Sequence, residues 1–403
     1  MVLVGLPTLA DQRLPPDLDN PQQKGYEAND WLTLKPYVRF STHATTNLFQ
    51  ETNKRFLSPQ PGAPLLRRGG KENDVLYRVM PGVDVVLSDE KVGKLALGYV
   101  PTFLFYSRNP SFNTVEQRTR FDGSLKLDKL TLKASGAASW TVSASDPVLI
   151  GYIRGFQGGG NLSAEYQFTD LIGALAEGTI TYRKSFPHSI RPAANVAEWG
   201  NDDFVTISPN LDDKFKILLG GGWREWHYVY HRATRPDVSW GKVGGGLVAS
   251  VGELFEIDGR AFYEMGWVKR RRGFSRRLEI HDAFNGRGSL TVHVTKLADL
   301  AAFTSYRTEA APQEAYRWTT TAGGSLTLNV REDVRATLSA VYINQNPRQV
   351  AELYLQVYSF EVQWFAMDHL EVGAQVSYTR AHIRGANAGY EVFEGALGVT
   401  LKL

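Results

Sequence analysis

The sequence predicts an all-β chain that closes into a single transmembrane antiparallel β-barrel of about 18 strands, with about 16 strands as the alternative. Three observations predict this fold class. Apolar and polar residues alternate along successive segments, short polar turns alternate with longer loops, and no apolar run reaches the length of a membrane-spanning helix. The alternation is the strongest evidence for a barrel, because a barrel strand needs only about 10 residues and keeps one of its faces polar.

Composition limits the function classes that fit the chain. Its 403 residues are enough for one large closed sheet. The charged fraction is 22% and the formal net charge is +3, which argues against a disordered tail protein and against a nucleic-acid binder. The chain contains no cysteine, which excludes disulfides, thiolate metal sites and cysteine nucleophiles.

Residues 1–30 are predicted to form an irregular N-terminal extension on the periplasmic side, because they are rich in Pro, Asp, Asn and Gln and show no periodicity. The opening MVLVGLPTLADQ has an apolar run and a small residue before Asp11, but no basic segment precedes the run. A complete signal peptide is therefore not visible, and its cleavage point stays open. The barrel itself is predicted over residues 31–403.

Two kinds of connection divide the alternating segments that follow Trp31. Nine long loops and eight short turns predict a barrel with both chain ends on the short-turn side. The short turns are predicted near Asp89, Asp128, Asp170, Asp212, Gly252, Asp299, Asp333 and Asp368. The long loops, rich in Pro, Gly, Asn or Arg, include residues 50–73, 107–114, 186–201, 269–286 and 307–315.

Each alternating segment has an apolar face and a polar face. In residues 370–380, for example, Val372 and Val376 lie on the face opposite Glu371 and Gln375. A soluble, lectin-like β protein would also alternate, but it would bury the apolar face and usually has shorter strands. Strand length favours the membrane, as do aromatic residues near the ends of the apolar faces. These aromatics are Tyr99, Phe103, Phe105, Tyr263 and Trp267.

The first three segments carry more specific motifs. They are an Asn-aromatic pair, a Pro-Gly and a Tyr-x-Pro-x-Phe, formed by Asn47, Phe49, Pro81, Gly82, Tyr99, Pro101 and Phe103. With these motifs the chain resembles the outer-membrane β-barrel family (beta-barrel porin 2-like) that is associated with exopolysaccharide gene clusters. The resemblance implies a Gram-negative outer-membrane barrel, and some members are proposed to pass polysaccharide alongside periplasmic export proteins. Many outer-membrane barrels end in Phe, whereas this chain ends in Leu403.

Charged residues on the polar faces are predicted to point into the lumen. Their signs are mixed, so we do not expect a filter for one sign of charge, and opposed charges on neighbouring strands can also pair along the wall. The predicted lumen-facing residues are Asp84, Arg120, Asp122, Lys126, Lys133, Glu165, Glu177, Arg183, Arg224, Glu256, Asp258, Arg260, Glu264, Arg317, Arg335, Glu371, Glu394 and Lys402.

The run KRRRGFSRR is the strongest charge cluster and falls in a predicted long loop. It is compatible with an anion site for lipid phosphate, an acidic glycan or an acidic protein, and equally with a solvated loop. The candidate anion-binding residues are Lys269, Arg270, Arg271, Arg272, Arg276 and Arg277.

Three glycine triplets, at residues 158–160, 220–222 and 244–246, lack the strand-to-helix context and the Lys-Ser/Thr of a phosphate loop. They are better explained as positions where strongly coiled strands bend and pack closely in the wall.

The histidines and carboxylates do not predict an enzyme. His281 and Asp282 are adjacent and would point to opposite faces of a strand. His227 and His231 share a face, but four residues apart in a strand they are too distant for a two-ligand metal site. We therefore expect no catalytic residue, no metal and no cofactor.

The leading functional expectation is a polar conduit that is porin-like or passes polysaccharide, with Trp226 and Tyr230 near the mouth placed to stack on sugar rings. The alternative is an anchoring barrel with a plugged lumen that binds a partner assembly through its loops or N-terminus. The expected partners are outer-membrane lipid, lipopolysaccharide, polysaccharide and a periplasmic export protein. The pattern does not determine the oligomeric state.

Overall fold

A computed structural model describes most of the chain. The described residues are 26–29, 31–46, 73–89, 92–108, 110, 113–143, 153–169, 172–187, 197–212, 215–228, 237–252, 254–272, 275–295, 297–309, 317–347, 352–384 and 388–403. Most of the predicted N-terminal extension and of the predicted loop 50–73 lies outside this part. Among the described residues there is no helix long and apolar enough to cross a membrane.

The described chain is built from β-strands. One short strand precedes 18 long ones, which confirms the predicted all-β class and strand number. The strands are β1 Tyr26–Asn29, β2 Leu32–Thr45, β3 Asp74–Asp89, β4 Gly93–Tyr106, β5 Thr114–Leu127, β6 Leu130–Ser143, β7 Ile153–Thr169, β8 Ile172–Pro187, β9 Ala197–Asp212, β10 Phe215–Tyr228, β11 Asp237–Val251, β12 Phe255–Arg272, β13 Ser275–Thr295, β14 Ala298–Glu309, β15 Arg317–Arg331, β16 Val334–Pro347, β17 Leu353–Met367, β18 Leu370–Ile383 and β19 Ala388–Lys402.

The sheet closes on itself. Each strand from β2 to β19 pairs antiparallel with its neighbours in sequence, and β19 pairs with β2 from Glu394↔Thr45 to Lys402↔Tyr37. The result is an 18-stranded barrel without a free edge along most of its wall. The short β1 pairs with the start of β2.

The short turns lie where the sequence predicts them. At one end of the barrel, eight connections contain two or three residues each, and the connections at the opposite end are longer except between β12 and β13, where two residues separate the strands. Two of these turns need a left-handed backbone conformation, with φ of 47° at Asp128 and 62° at Gly252. Asp and Gly tolerate that region better than most residues, so the turn chemistry fits the sequence.

One predicted long loop is wrong. Residues 269–286 continue β12 and β13 as a hairpin, in which Lys269 pairs with Leu278 and Arg272 with Ser275. The alternation in KRRRGFSRRLEI is masked by its many cations, so the sequence pattern looked like a loop. The predicted loop 186–201 is also shorter, because β8 runs to Pro187 and β9 begins at Ala197.

The barrel is apolar on its outside. On β18, the polar Glu371 is 9% exposed and Ser377 is 4% exposed, whereas Val376, on the opposite face, is 43% exposed. A soluble protein would have the reverse arrangement. The apolar exterior matches a hydrocarbon belt, and closed barrels with such a belt are the β-structures that cross bacterial outer membranes. The chain is therefore an outer-membrane barrel.

Aromatic residues are exposed on the outer face of the barrel. Tyr99, Phe105 and Tyr263 are 41%, 46% and 42% exposed, on the outer faces of β4 and β12. Trp223 and Trp267 stack with ring centroids 5.3 Å apart, over Gly241 of the strand between them. Exposed aromatic rings add to the apolar surface of the outer face.

Candidate functional site

The candidate functional site is the inner face of the barrel. Residues that lie directly opposite in an antiparallel pair point to the same face of the sheet. Once one residue is known to point inward, the register therefore identifies the inward residues of every neighbouring strand. Sixteen of the predicted lumen residues share the inner face: Asp84, Arg120, Asp122, Lys126, Lys133, Glu165, Glu177, Arg224, Glu256, Asp258, Arg260, Glu264, Arg335, Glu371, Glu394 and Lys402. Arg183 lies in β8 and Arg317 in β15, and their side chains fall outside the described part.

One ion pair on the inner face joins two strands that are not neighbours in the sheet. Arg260 on β12 donates from Nη1 to Oε2 of Glu177 on β8 over 3.0 Å, and its Nε lies 3.1 Å from Oδ1 of Asp258. β8 and β12 are not neighbours in the sheet, since β9, β10 and β11 separate them. The pair therefore spans the concave inner surface of the wall over the three strands that lie between β8 and β12.

Glycines on β11 make this crossing possible. A Cβ at Gly246 would lie 2.9 Å from Arg260 Cγ and 2.5 Å from the carbonyl oxygen of Gly259. A Cβ at Gly244 would approach the carbonyl oxygen of Ala261 to 2.1 Å. The wall bends closely here, and the absence of side chains at these positions leaves room for the arginine stem. Tight wall packing is the role predicted for this glycine triplet.

Two further charge contacts lie on the same side of the lumen. Lys216 on β10 reaches Glu165 on β7 at 3.6 Å, again between strands that are not neighbours. Arg224 on β10 pairs with Glu264 on β12 at 2.5 Å and lies over the ring of Trp240, on the strand between them, at 4.3 Å. Charge pairs and a cation–π contact thus fix the inner face of β10 to β12.

A second group of charges lies on the opposite side of the barrel. Arg120 on β5 bonds through Nη2 to Oδ2 of Asp84 on β3 at 3.0 Å. The side chains meet across β4 because Gly98 stands between them, where a Cβ would lie 2.5 Å from Asp84 Oδ1. Tyr37 covers Gly82 in the same way and is 2% exposed. Such ring-over-glycine contacts hold the register of neighbouring strands.

The inner face differs between the two ends of the barrel. Toward the short turns, Asp122, Lys126, Lys133 and Glu256 are exposed on the inner face. Toward the long loops the inner face carries an apolar cluster of buried residues, which are Ile343, Leu353, Leu355, Val357, Ala381 and Val392. The described inner face is therefore polar and accessible at the short-turn end, whereas along β16 to β19 it is apolar and buried at the loop end.

Sequence reasoning missed part of this face. The charged residues Arg39, Glu116 and Lys216 also point inward, and the same alternation that identified the others would have included them. The apolar inner residues gave no usable signal. In LYLQVYSFEV both faces are largely apolar, so the pattern around Leu355 and Val357 does not tell inside from outside.

The candidate anion-binding run is not a loop, because its residues belong to two paired strands. Lys269, Arg270, Arg271 and Arg272 end β12, while Arg276 and Arg277 begin β13. Their side chains lie outside the described part. Within the residues that the structure describes, no group of three or more His, Asp or Glu side chains is placed to hold a metal ion.

Comparisons with known proteins find similarity in fold. No protein-family model matches the chain, and no curated protein sequence matches it either. Pseudomonas aeruginosa OccK1 (OpdK) aligns over 92% of this chain and 99% of its own, with 6% identity and a TM-score of 0.46. The FrpB iron transporter of Neisseria meningitidis (F3-3 variant) aligns over 88% of this chain with 11% identity and a TM-score of 0.44.

This chain covers 63% of that FrpB chain. A structure described as a bacterial polysaccharide outer membrane secretin aligns over 91% of this chain and 98% of its own, with 10% identity and a TM-score of 0.34. Similarities this distant carry no argument about function.

Proposed function

We propose that the protein is a conduit for polar solutes across the outer membrane. The observation that carries the proposal is the inside-out distribution of polarity. Glu177, Asp258 and Arg260 lie on the inner face of a closed barrel whose outer face is apolar. Barrels of about 16 to 18 strands are wide enough to hold an aqueous lumen. A polar inner face serves hydrated solutes, and an anchor alone would not require it.

Selection in this conduit would rest on width more than on charge. Several inner-face cations pair with inner-face carboxylates, as in Arg260–Glu177 and Arg120–Asp84. Paired charges largely cancel at a distance, so the lumen lacks a strong field of one sign. Their hydrogen-bonding atoms still offer donors and acceptors to neutral polar groups such as sugar hydroxyls.

We further propose polysaccharide as the cargo class. The support is the motif resemblance of the first strands and a lumen that combines donors, acceptors and aromatic rings such as Trp226. The short-turn end faces the periplasm in outer-membrane barrels, so a periplasmic export protein would dock there, together with residues 1–30. Lipid and lipopolysaccharide would contact the apolar exterior.

The cargo class is tested by block of current. Purified protein in a planar bilayer is exposed to neutral or anionic polysaccharide on either side. Block by one glycan class at micromolar to millimolar concentration, with no effect of a dextran of equal mass and other linkage, supports the proposal. A steady current that no glycan reduces contradicts polysaccharide passage and leaves a conduit for smaller polar solutes.

A second candidate function rests on the buried apolar cluster inside the loop end. Leu353, Leu355 and Val357 are 3%, 7% and 6% exposed although they point inward. Residues that line open water would be accessible, so this buried cluster also suits an anchoring barrel with a plugged lumen. A folded protein that passes neither ions nor sugars would favour this function.

A further inference from the structure

The wall of the barrel is not continuous between β13 and β14. Their pairing begins at Thr295↔Ala298 and ends at Gly286↔Tyr306, although β14 continues to Glu309 and β13 begins at Ser275. Beyond Tyr306, β14 pairs only with β15 in the described chain, and the upper part of β13 pairs only with β12. The two halves of the wall therefore separate toward the loop end.

A side chain replaces the missing ladder at the point of separation. Asn285 points inward from β13, and its Oδ1 accepts hydrogen bonds from the backbone N of Thr308 at 3.0 Å and from Thr308 Oγ1 at 3.2 Å. Asn285 is 3% exposed and Thr308 is fully buried. The end of β14 thus lies against the inner side of β13.

The position of Trp318 shows how far the ends of β14 and β15 overlap the inner side of the wall. Trp318 lies on β15, where it pairs with Thr308 of β14. It shares a strand face with Leu328, which points outward and is 39% exposed. Trp318 nevertheless packs against Val238, Trp240 and Val268. Those three residues are at most 1% exposed and point inward from β11 and β12.

An outward-facing residue can reach the inner side of another part of the wall only if its own strands lie inside that wall. The loop-side ends of β14 and β15 are therefore tucked into the lumen, behind β11 to β13. Two layers of sheet packed face to face occupy about 10 Å, so the overlap narrows the loop-side mouth by roughly that width. Trp226 of β10 packs against the same cluster.

We propose that these tucked strand ends are the constriction that sets the size limit of the conduit, and that Trp318 is the residue that holds them in place. The proposal rests on the conduit function proposed above. Trp318 is the residue of β15 that packs against the buried cluster, and large aromatic side chains dominate the energy of such contacts. Loss of its ring would free the loop-side ends of β14 and β15 and widen the mouth.

The overlap is tested first without any measurement of transport. The chain has no cysteine, so an Asn285→Cys, Thr308→Cys double variant contains the only two thiols. The proposal predicts that mild oxidation cross-links this pair in the membrane-inserted barrel. A Ser289→Cys, Thr308→Cys control, whose first position lies further along the inner face of β13, should not cross-link. Absence of the cross-link in a folded barrel would overturn the tucked arrangement.

The width-setting role is tested by conductance and by exclusion of polyethylene glycols of graded mass. Trp318→Ala should raise single-channel conductance roughly twofold or more and admit larger polymers. Trp364→Ala, which removes an outward ring 47% exposed on β17, is the matched control and should leave both unchanged. Oxidation of the cysteine pair should prevent widening when it is combined with Trp318→Ala.

The possible results separate the two proposals. A conducting wild-type protein with an unchanged Trp318→Ala variant overturns the constriction and leaves the conduit intact. A silent wild-type protein whose Trp318→Ala variant conducts supports the constriction and favours a plugged wild-type barrel over the open conduit. Folded wild-type and variant barrels that are both silent overturn the conduit, and the width-setting role with it.

Discussion

Arg260 on β12 and Glu177 on β8 are joined by a 3.0 Å ion pair that spans three intervening strands. The contact exists because the wall between them bends and because Gly246 presents no side chain beneath the arginine stem. Neither condition can be read from a single strand. The pair shows that the wall from β8 to β12 curves tightly enough to bring inner-face side chains of its first and last strands into contact.

Arg260→Ala should shift the conduit toward cations. The change leaves the Glu177 and Asp258 carboxylates without their common partner, so unbalanced negative charge remains on the inner face. The reversal potential under a salt gradient should move in the cation-selective direction, more strongly at low salt. Arg335→Ala removes the same charge from β16, where Arg335 contacts Asn329. It should shift the reversal potential less than Arg260→Ala does. Equal shifts in both variants would contradict a special role for the crossing pair.

Gly246→Ala should destabilise the barrel by about 1–3 kcal/mol, because the added Cβ would overpack the wall. It would lie 2.5 Å from the carbonyl oxygen of Gly259 and 2.9 Å from Arg260 Cγ. The matched control is Gly259→Ala, where nothing lies within 4 Å of the new Cβ. Urea unfolding of both variants in lipid measures the difference. Similar free energies of unfolding would show that the close approach at Gly246 does not limit packing.

Leu162→Arg should cost about 2–4 kcal/mol if the middle of β7 crosses the hydrocarbon region. Leu162 is 60% exposed on the outer face. The adjacent Ser163→Arg points to the lumen and should be tolerated far better. Folding efficiency into vesicles, read from the heat-modifiable mobility of the barrel, compares them. A soluble protein would accept the arginine at Leu162, so equal folding of the two variants counts against the membrane orientation.

The surroundings of Glu352 predict that the stability of the barrel depends on pH. Hydrogen bonds from Tyr354 and Asn344 and the charge of Arg384 hold the pKa of the Glu352 carboxyl below its ordinary value. A lowered pKa adds stability that is present above the ordinary pKa and is lost as the pH falls through the lowered one. Glu352→Gln should therefore lower the unfolding midpoint at neutral pH and make no difference in strong acid. A difference that persists unchanged into strong acid would contradict this cause.

Much of the fold follows from local sequence. Alternation gives each strand two distinct faces, and polar turns such as those at Asp128 and Gly252 fix the hairpins, so strand number and turn positions could be predicted. The hairpin at residues 269–286 could not, because consecutive cations hide the period of two.

The site was less accessible to sequence reasoning than the fold. The inward direction of Arg260 follows from alternation, but its partner Glu177 depends on how the wall bends between distant strands. Trp318 has the parity of an outward residue, and only the separation of β13 from β14 brings it inside. Such relationships depend on tertiary geometry, which period-two patterns do not encode.

The central claim is that the barrel encloses a continuous aqueous path, and single-channel recording of the wild-type protein in a planar lipid bilayer tests it most directly. The account predicts discrete, reproducible current steps whose size follows salt concentration and which are enlarged in Trp318→Ala. Silence from wild-type and Trp318→Ala protein shown to be inserted and folded would contradict it. That result would leave a sealed barrel that serves as an anchor.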